Sequence, residues 1–367
     1  MSDLDLLYTE IEEDVRSAVR RLFRDRCEPA EIIGLFDGGP GPKGLAEALG
    51  SELGLAALLV PEELGGGGAS AREAAVVLEE VGRAVAPVPF LTSSVIATTL
   101  LVRAGSAVVG ELVDGTQTAV VVVPFSAAYD RHPEGISASD GRLTGQVRSV
   151  AGAIGAAILL VPVATAEGVD VYAVQAADAT VEPVVSLDMT RPVADIALDH
   201  APGQLLVAGE AGAEALRTAL RAGAALLASE QAGIAQWCLE TTVSYLKDRR
   251  QFGRVVGGFQ ALKHRLADLF VEVESSLAAA RYAAAAVASD DPDADIAASL
   301  AQAYCSEAAV HAAEEAIQLH GGIGMTWEHP AHLYLKRAKA DQIALGTAGH
   351  HRSVLAKLVD LQPAGEV

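Results

Sequence analysis

The hydrophobic positions in the first third of the chain follow a helical period. The apolar positions near the N-terminus are Ile11, Val15, Val19 and Leu22. Their three- and four-residue spacing between charged residues is typical of an amphipathic helix. In the segment SAREAAVVLEEVGRAV, Glu73 follows Ser70 by three residues, which is the capping-box signature of a helix start. This part of the chain is therefore predicted to be helical.

From about residue 117 the hydrophobic pattern changes to a period of two. The segments TAVVVVPF, GRLTGQVRSV, AAILLVPVA, GVDVYAVQ and PVADIALDH are short runs rich in β-branched residues, separated by Gly, Pro and Asp. In the last run Ala194, Ile196 and Leu198 alternate with the residues between them, as in a strand with one buried face. These runs predict a small β domain.

After Gly203 the helical period returns and persists almost to the end of the chain. These segments are apolar on nearly every turn, and such helices are buried on all sides. They predict a bundle that also forms the core of an oligomer. The predicted fold class is α+β. Its predicted parts are an N-terminal α-helical domain over residues 1–116, a middle β domain over 117–203 and a C-terminal α-helical bundle over 204–367.

Composition and charge narrow the range of partners. The chain has 367 residues, of which 51% are hydrophobic, and a formal net charge of −21. Because half of the residues are hydrophobic, the composition argues against a disordered chain. The negative charge argues against nucleic acid as a partner, because phosphate backbones would be repelled. An anionic ligand must therefore bind at a local positive island.

Several features point to an intracellular location. The N-terminal residues MSDLDLLYTEIEEDVR are acidic and do not resemble a secretory signal. The most apolar stretch, residues 151–164, is too short to span a bilayer. Cys27, Cys238 and Cys305 lie far apart without Cys-x-x-Cys spacing, as is typical of reduced thiols. We expect a soluble, cytoplasmic protein with no membrane partner.

The segment KDRRQFGRVVGGFQALKHRLADLF, residues 247–270, supplies a positive island. Arg249 offers a planar fork of donors suited to a pyrophosphate. Phe252 can cover a flat ring, and the amides of Gln251 and Gln260 can bond ring or ribose edges. The alternative is that Arg249 and Arg250 are ordinary charges at a helix C-terminus.

A second segment, QLHGGIG at residues 318–324, is also suited to phosphate. Gly321 and Gly322 allow the backbone to approach phosphate oxygens closely, with free N–H donors. The alternative is that the glycines form an ordinary helix cap.

Other candidate sites are weaker. The glycines at 65–68 lack the spacing of a dinucleotide fingerprint, so they predict a flexible loop, and residues 38–44 are a weaker phosphate-loop candidate. Four histidines occur near the C-terminus, namely His329, His332, His350 and His351. Because no cysteine or carboxylate set completes a ligand pattern, we interpret them as surface histidines and predict no metal site.

Taken together, these motifs resemble the acyl-CoA dehydrogenase family over most of the chain. The matching residues are Arg249, Gln251, Phe252, Gly253, Phe259, Gln260, His264, Leu266, Ala267, Asp268, Gln318, Gly321, Gly322 and Gly324. The segment SLDMTRPVADIALD resembles the family's middle domain. The resemblance implies a helical domain, a β-barrel-like middle domain and a four-helix bundle. It also implies that the basic and glycine-rich segments hold the ADP half of a neighbouring subunit's FAD.

The sequence departs from the family where the catalytic base is expected. Members remove an α-proton from an acyl-CoA thioester with a carboxylate. Leu345 stands at the usual glutamate position, although the following Gly346 and Thr347 fit, and Thr347 joins the expected cofactor-binding set. The alternative base position on an earlier helix falls at Gly223. Both base positions are therefore expected to be vacant.

The middle domain departs from the family as well. Members bond the flavin ring with a Thr-Glu-Pro-type loop and a tryptophan-containing step. The corresponding segments here are VVVPFSAAYDRHPEG and GQVRSVAGAIGA, without a tryptophan. The resemblance therefore implies that the groups that hold this subunit's own isoalloxazine ring are lost, whereas the groups offered to a neighbour's FAD are kept.

This asymmetry predicts a non-catalytic subunit of an FAD-dependent acyl-CoA dehydrogenase, inactive alone. By resemblance, a sister subunit in an α2β2 heterotetramer would supply the base. The substrate would be a steroid side-chain or other bulky acyl-CoA. An electron-transfer flavoprotein would accept the electrons. Two alternatives stay open. One is an active homo-oligomer with a displaced base at Glu328, Asp341 or Glu230. The other is a structural or ligand-binding protein without redox chemistry.

Overall fold

The structure is a computed structural model that describes residues 4–361. Its N-terminal part is helical, as predicted. The helices are α1 (Glu10–Arg26), α2 (Pro29–Gly34), α3 (Leu45–Glu47), α4 (Ala71–Ala84) and α5 (Thr98–Arg103), with a π-helical segment at Phe90–Ala97. The predicted capping box is confirmed at α4. Ser70 accepts a hydrogen bond from the Arg72 amide, and Glu73 accepts one from the Ser70 amide.

Three of the four predicted apolar positions on α1 pack against the core, but its buried face also contains charged residues. Ile11 is 67% exposed, whereas Glu12 and Arg16 are buried. Arg72 Nε donates to Glu12 at 2.6 Å, and Arg16 donates to Glu79 at 2.7 Å. These ion pairs with the start and middle of α4 set the rotation of α1, which the spacing of apolar residues does not reveal.

The glycines at 65–68 form a loop, as predicted, but the loop is closely packed rather than flexible. All four N–H groups donate to backbone carbonyl groups of residues 57–62. A Cβ on Gly66 would lie 2.1 Å from the Val60 carbonyl oxygen. Because its amides are already bonded, this loop offers no cradle for phosphate.

The middle of the chain forms strands, as predicted. They are β1 (Ala119–Val121), β2 (Ile136–Ser139), β3 (Arg142–Ala151), β4 (Ile158–Thr165), β5 (Gly168–Gln175), β6 (Thr180–Val184), β7 (Val193–Pro202) and β8 (Gln204–Val207). Two four-stranded sheets have the orders β1-β4-β5-β8 and β2-β3-β7-β6. The predicted alternation in β7 is confirmed, because Ala194, Ile196 and Leu198 are buried. Side chains from both sheets form one hydrophobic cluster.

The C-terminal part is again helical. Its elements are α6 (Gly209–Asp248), the hairpin strands β9 (Arg250–Gln251) and β10 (Arg254–Val255), α7 (Gln260–Ala288), α8 (Ala294–His320), α9 (Ala331–Ile343) and α10 (Ala348–Leu358). The strands continue past Gly203 to Val207, so the helical period begins later than the sequence pattern indicated. Buried residues occur along most of α6, which packs against α4, α7 and α8. The exact domain limits remain predictions.

Two further features concern the expected location. Within residues 4–361 no helix is both long and apolar enough to cross a membrane. The three cysteines are free and buried. Burial raises the pKa of each of the three thiols, so all three remain protonated at neutral pH.

Candidate functional site

The basic segment forms a tight hairpin between α6 and α7. β9 and β10 pair antiparallel and are joined by the two residues Phe252 and Gly253. Both residues have positive φ, +53° and +75° respectively, as two-residue hairpin turns of type I′ require. Asparagine or glycine is usual at the first position, so a phenylalanine there carries backbone strain. The turn nevertheless presents the Phe252 ring, which is 87% exposed.

Phe252 has an aromatic neighbour at the start of α7. Its ring packs edge-on against Phe259 with centroids 6.2 Å apart. The guanidinium carbon of Arg254 lies 3.7 Å above the Phe259 ring, which is a cation–π contact. The hairpin therefore holds an aromatic edge and positive charge side by side.

The glycine-rich segment forms the turn that ends α8. Gly321 has φ +64° and ψ −137°, a backbone conformation that is essentially restricted to glycine. Its N–H donates to the Gln318 carbonyl. A Cβ added to Gly322 would meet nothing within 4 Å. Gly321 is thus needed for the turn itself, whereas Gly322 faces open space where a ligand can approach the backbone.

The two segments line the same groove. Its lining includes Arg249, Gln251, Phe252, Phe259, Gly321 and Gly322, and about 1390 Å³ of empty space lies within it, part of it open to solvent. Residues that are about 70 positions apart in sequence therefore meet at one site, as two halves of a ligand site must.

Four residues of the predicted cofactor set do not line the groove. Gly253 completes the hairpin turn, and Gln260 begins α7 with its Nε2 3.4 Å from His264 Nε2. Gln318 is exposed in the last turn of α8. Thr347 caps α10 by accepting a hydrogen bond from the His350 amide. Their direct role in cofactor binding remains a prediction.

The charge of the groove favours an anion. Residues 247–254 contain four basic side chains and one acidic one. Within the described part of the chain, the guanidinium groups of Arg249, Arg250 and Arg254 form no ion pair with a carboxylate. In a protein of net charge −21, guanidinium groups without a carboxylate partner are a local anion site. The Gly321 amide does not add a free donor to this site, because it is already bonded to the Gln318 carbonyl.

Tyr245 and His320 also line the groove, and the sequence interpretation did not include them. Their rings stack with centroids 4.5 Å apart. His320 is buried and its Nδ1 donates to the Ala316 carbonyl at 2.7 Å. Burial lowers the pKa of His320, so the ring is neutral. The position of Tyr245 one helical turn before Arg249 is the signal that could have indicated it.

The two expected base positions come together. A Cβ on Gly223 would lie 3.2 Å from Leu345 Cδ1 and 2.7 Å from Ile96 Cγ1. Leu345 is 2% exposed and Ile96 5% exposed. The place where either glutamate would stand is therefore filled by apolar side chains, and the structure brings together two positions that lie 122 residues apart.

The loop before β2 packs directly onto the segment that contains Leu345. The Leu345 amide donates to the Phe125 carbonyl at 2.8 Å, and the Phe125 amide donates to the Ser149 carbonyl at 2.9 Å. His350 Nε2 lies 2.8 Å from Asp130. Residues 124–131 are thus held against residues 345–350 by hydrogen bonds from both ends.

The prediction of surface histidines is wrong for His351, which is fully buried. Its Nε2 donates to the Leu345 carbonyl at 3.0 Å, and burial lowers the pKa of His351 to about 4. His329 and His332 are half-buried. His332 packs edge-on against Trp327 at 4.7 Å. These histidines serve packing, which their sequence spacing does not show. Among residues 4–361 no group of three or more histidine, cysteine or carboxylate side chains is arranged to hold a metal ion.

The three carboxylates considered as displaced bases lie in unsuitable places. Glu230 and Asp341 are fully buried, and both accept hydrogen bonds from Arg191. Glu328 is exposed and precedes α9, whereas Leu345 follows it. A helix of 13 residues is about 20 Å long, so Glu328 is far from the expected base positions.

Comparison with known proteins identifies the family. Residues 9–110 match the profile described as acyl-CoA dehydrogenase, N-terminal domain, and residues 210–359 match acyl-CoA dehydrogenase, C-terminal domain. The chain belongs to the acyl-CoA dehydrogenase family. Members of this family are FAD-dependent oxidoreductases, and the predicted fold class is confirmed.

Two relatives are similar in sequence to this acyl-CoA dehydrogenase chain over more than four fifths of its length. Acyl-CoA dehydrogenase IpdE2 of Mycolicibacterium smegmatis is 34% identical over 92% of this chain and 95% of its own length. Acyl-CoA dehydrogenase FadE34 of Mycobacterium tuberculosis is 37% identical over 81% of this chain but only 39% of its own length.

Solved structures of complexes are also similar. A variant of the Tcur3481–Tcur3483 steroid ACAD has a TM-score of 0.83 at 30% identity, covering 96% of this chain and 98% of that chain. The ChsE4–ChsE5 complex of Mycobacterium tuberculosis has a TM-score of 0.86 at 28% identity, covering 98% and 100%. Butyryl-CoA dehydrogenase of Megasphaera elsdenii, at 21% identity and a TM-score of 0.88 over 97% of this chain and 100% of that chain, shares the fold.

Proposed function

We propose that this chain is the non-catalytic subunit of a heteromeric acyl-CoA dehydrogenase and contributes the ADP-binding groove for FAD. The observation that carries the proposal is an asymmetry within one molecule. The groove between the hairpin and the α8 turn is open and positively charged, whereas both base positions are packed with Leu345 and Ile96. The chain therefore retains a binding function without a proton acceptor.

The groove fits the ADP half of FAD by the chemistry of its donors. Arg249 can bond a pyrophosphate with two parallel N–H groups, and Gly322 leaves room for a phosphate beside the backbone. The exposed ring of Phe252 can stack on adenine. When bound, FAD supplies the hydride acceptor for the dehydrogenation. This chain's residues bind and orient its anionic half.

Loss of the base follows from simple acid–base chemistry. Removal of an α-proton needs a group that accepts it within hydrogen-bond reach. Neither an alkyl side chain at Leu345 nor the hydrogen at Gly223 can accept a proton. The buried carboxylates Glu230 and Asp341 are already bonded to Arg191, which argues against the active homo-oligomer.

The loop contacts support loss of the flavin-ring site. By family resemblance, the middle-domain loop bonds the flavin ring and the segment at Leu345 carries the base, so a complete site needs space beside both segments. Here the Phe125 carbonyl accepts directly from the Leu345 amide, so the two segments touch each other instead. The sister chain would therefore supply both the ring site and the base.

A mixed assembly is supported by the similar structures that are complexes of two chains, ChsE4–ChsE5 and Tcur3481–Tcur3483. We infer an α2β2 arrangement with a sister acyl-CoA dehydrogenase chain. The steroid ACAD among these structures supports a steroid side-chain or other bulky acyl-CoA as substrate. An electron-transfer flavoprotein is the proposed electron acceptor by family resemblance.

The proposal is tested by dye-reduction assays with acyl-CoA on this chain alone, the sister chain alone and the co-expressed pair. Only the pair should be active. Arg249→Ala in the pair should weaken FAD binding about 10- to 100-fold, because a hydrogen bond to a charged group contributes about 1.5–3 kcal/mol.

Arg148→Ala is the matched control, because Arg148 is an exposed arginine on β3 outside the groove. It should leave FAD affinity unchanged. Dehydrogenation by this chain alone would show that it is an active homo-oligomer. Absence of flavin from every co-expressed complex would instead favour a protein without redox chemistry.

A further inference from the structure

A buried cluster of charged side chains joins the three parts of the molecule. Its members are Glu230 on α6, Arg337 and Asp341 on α9, and Asp188 and Arg191 between β6 and β7, all 8% exposed or less. Arg337 also donates to the Ala86 carbonyl, which follows α4, at 3.4 Å. The cluster therefore links the N-terminal helices, the middle strands and the C-terminal bundle.

The charges in this cluster do not balance if all groups are ionised. Three buried carboxylates, Asp188, Glu230 and Asp341, pair with two buried guanidinium groups, Arg191 and Arg337. The partly exposed Lys336 interacts electrostatically with Asp188 from the edge of the cluster. One uncompensated negative charge in the interior is costly, and a buried carboxyl avoids it by keeping its proton. One of the three carboxyl groups is therefore expected to be neutral.

Hydrogen bonding indicates which one. Glu230 accepts from both arginines. Asp188 accepts from Arg337 at 2.7 Å and from Thr190. Asp341 accepts from Arg191 through Oδ1 alone, and its buried Oδ2 has no partner within the described residues. Asp341 is thus the least stabilised as an anion.

Within the described part of the chain, two buried glutamines next to Asp341 also have side-chain oxygens without a donor. The side-chain Nε2 groups of Gln231 and Gln302 donate to the Asp341 backbone carbonyl at 3.2 and 3.3 Å. Their Oε1 atoms are buried and, among residues 4–361, accept no hydrogen bond. A proton on Asp341 Oδ2 turns one unpartnered acceptor into a donor, in a region of the described chain where buried acceptors lack donors.

We propose that Asp341 is a neutral carboxylic acid in the folded protein and that its ionisation is a switch that loosens the contact between the three parts of the molecule. The cluster lies next to the segment with Leu345, because Gln302 Nε2 donates to the backbone carbonyls of both Asp341 and Ala344. The proposal is independent of the role assigned to the nucleotide groove.

The electrostatics give the switch its direction. Burial raises the pKa of Asp341 to about 8, with Glu230 and Asp188 raising it further and Arg191 and Arg337 opposing them. The folded protein therefore holds a proton that the unfolded chain releases near its ordinary pKa of 3.8. Asp341 thus stabilises the fold most at low pH, and this contribution is lost as pH rises toward about 8.

The direct test is an infrared titration of the full chain from pH 6 to 9.5. The wild-type protein should show a protonated carboxyl band that disappears with a midpoint near pH 8, and Asp341→Asn should remove it. Absence of the band at pH 6 would overturn the proposal. So would its loss in Glu230→Gln but not in Asp341→Asn.

Urea unfolding supplies an independent readout. The ratio of the wild-type unfolding constant to that of Asp341→Asn should rise about 10-fold per pH unit from pH 5 to 7 and level off near pH 8. Asp178→Asn, at an exposed aspartate, should show no such slope against wild type. Parallel curves for wild type and Asp341→Asn would contradict the proposal. If Asp341→Asn does not fold, the wild-type infrared midpoint decides.

Discussion

At the scale of single residues, the residue at position 345 decides whether this chain has a carboxylate at the usual position of the catalytic base. Leu345→Glu restores the usual family residue at a place lined by Ile96 and Gly223. Because no partner for a carboxylate is offered by these neighbours, we expect a loss of about 3–5 kcal/mol in the free energy of unfolding at neutral pH. The catalytic rate of the chain alone should stay at zero.

This loss should shrink in acid, because burial raises the pKa of the introduced carboxyl and protonation relieves the cost. Leu345→Met is the control, since it keeps volume and apolarity and should cost less than about 1.5 kcal/mol. Chemical denaturation at pH 5 and pH 8 measures both variants. Activity of the L345E chain alone would contradict the proposed loss of the flavin-ring site.

Residue types in the sequence indicated which functional groups could bind a ligand, but they did not indicate where every side chain lies in the fold. Arg249, Phe252 and Gly322 were predicted to bind a ligand from their functional groups. They line one groove, and their contact with a ligand remains a prediction. His351 could not be placed, because nothing in its neighbours shows that its Nε2 donates to the Leu345 carbonyl. His351 and Leu345 are close in sequence, and their contact depends on the backbone geometry of the loop between them. The pattern of side chains along the sequence does not show that geometry.

At the scale of elements, the hairpin between α6 and α7 has a strained turn residue, Phe252, whose ring is the proposed contact with the nucleotide. Phe252→Asn places a residue that tolerates positive φ in a turn where φ is +53°. A left-handed backbone costs other residues about 1–2 kcal/mol, so we expect the variant to be more stable by about 1 kcal/mol. FAD binding by the assembled pair should weaken, because the exposed ring is gone.

The loss in affinity should be roughly 5- to 100-fold, as stacking of an aromatic side chain on a base contributes about 1–3 kcal/mol. Phe252→Tyr keeps the ring and should bind FAD like wild type. Thermal unfolding and FAD titration of the pair measure the two effects. Unchanged affinity in the F252N variant would mean that the ring does not contact the nucleotide.

The α8 turn allows structure and binding to be separated. Gly321→Ala forces a side chain into φ +64° and ψ −137° and should cost about 1–3 kcal/mol of stability. Gly322→Ala meets open space, so the fold should be unaffected while the added methyl group hinders approach of a phosphate. FAD affinity and thermal stability of each variant provide the comparison, and destabilisation by Gly322→Ala would contradict this division of roles.

Elements with one dominant pattern were predictable. The period of two located β7 and its buried face, and the capping box located the start of α4. The charged part of the buried face of α1 was not predictable, because Glu12 and Arg16 are buried through partners 60 or more residues away. Apolar periodicity cannot indicate a face that ion pairs select.

At the scale of the whole molecule, the order of helices, strands and helices followed from two changes of hydrophobic period. The assembly does not follow from one chain, because the proposed site is completed by another. A nucleotide groove without a base or ring site is incomplete alone. The proposed activity should therefore appear only when this chain is assembled with its partner.

The most direct measurement is flavin absorbance combined with native mass on this chain alone and co-expressed with its sister chain. We predict a colourless chain alone and a yellow complex of the two chains with one flavin per pair. A yellow, homo-oligomeric chain that is bleached by an acyl-CoA would contradict the account.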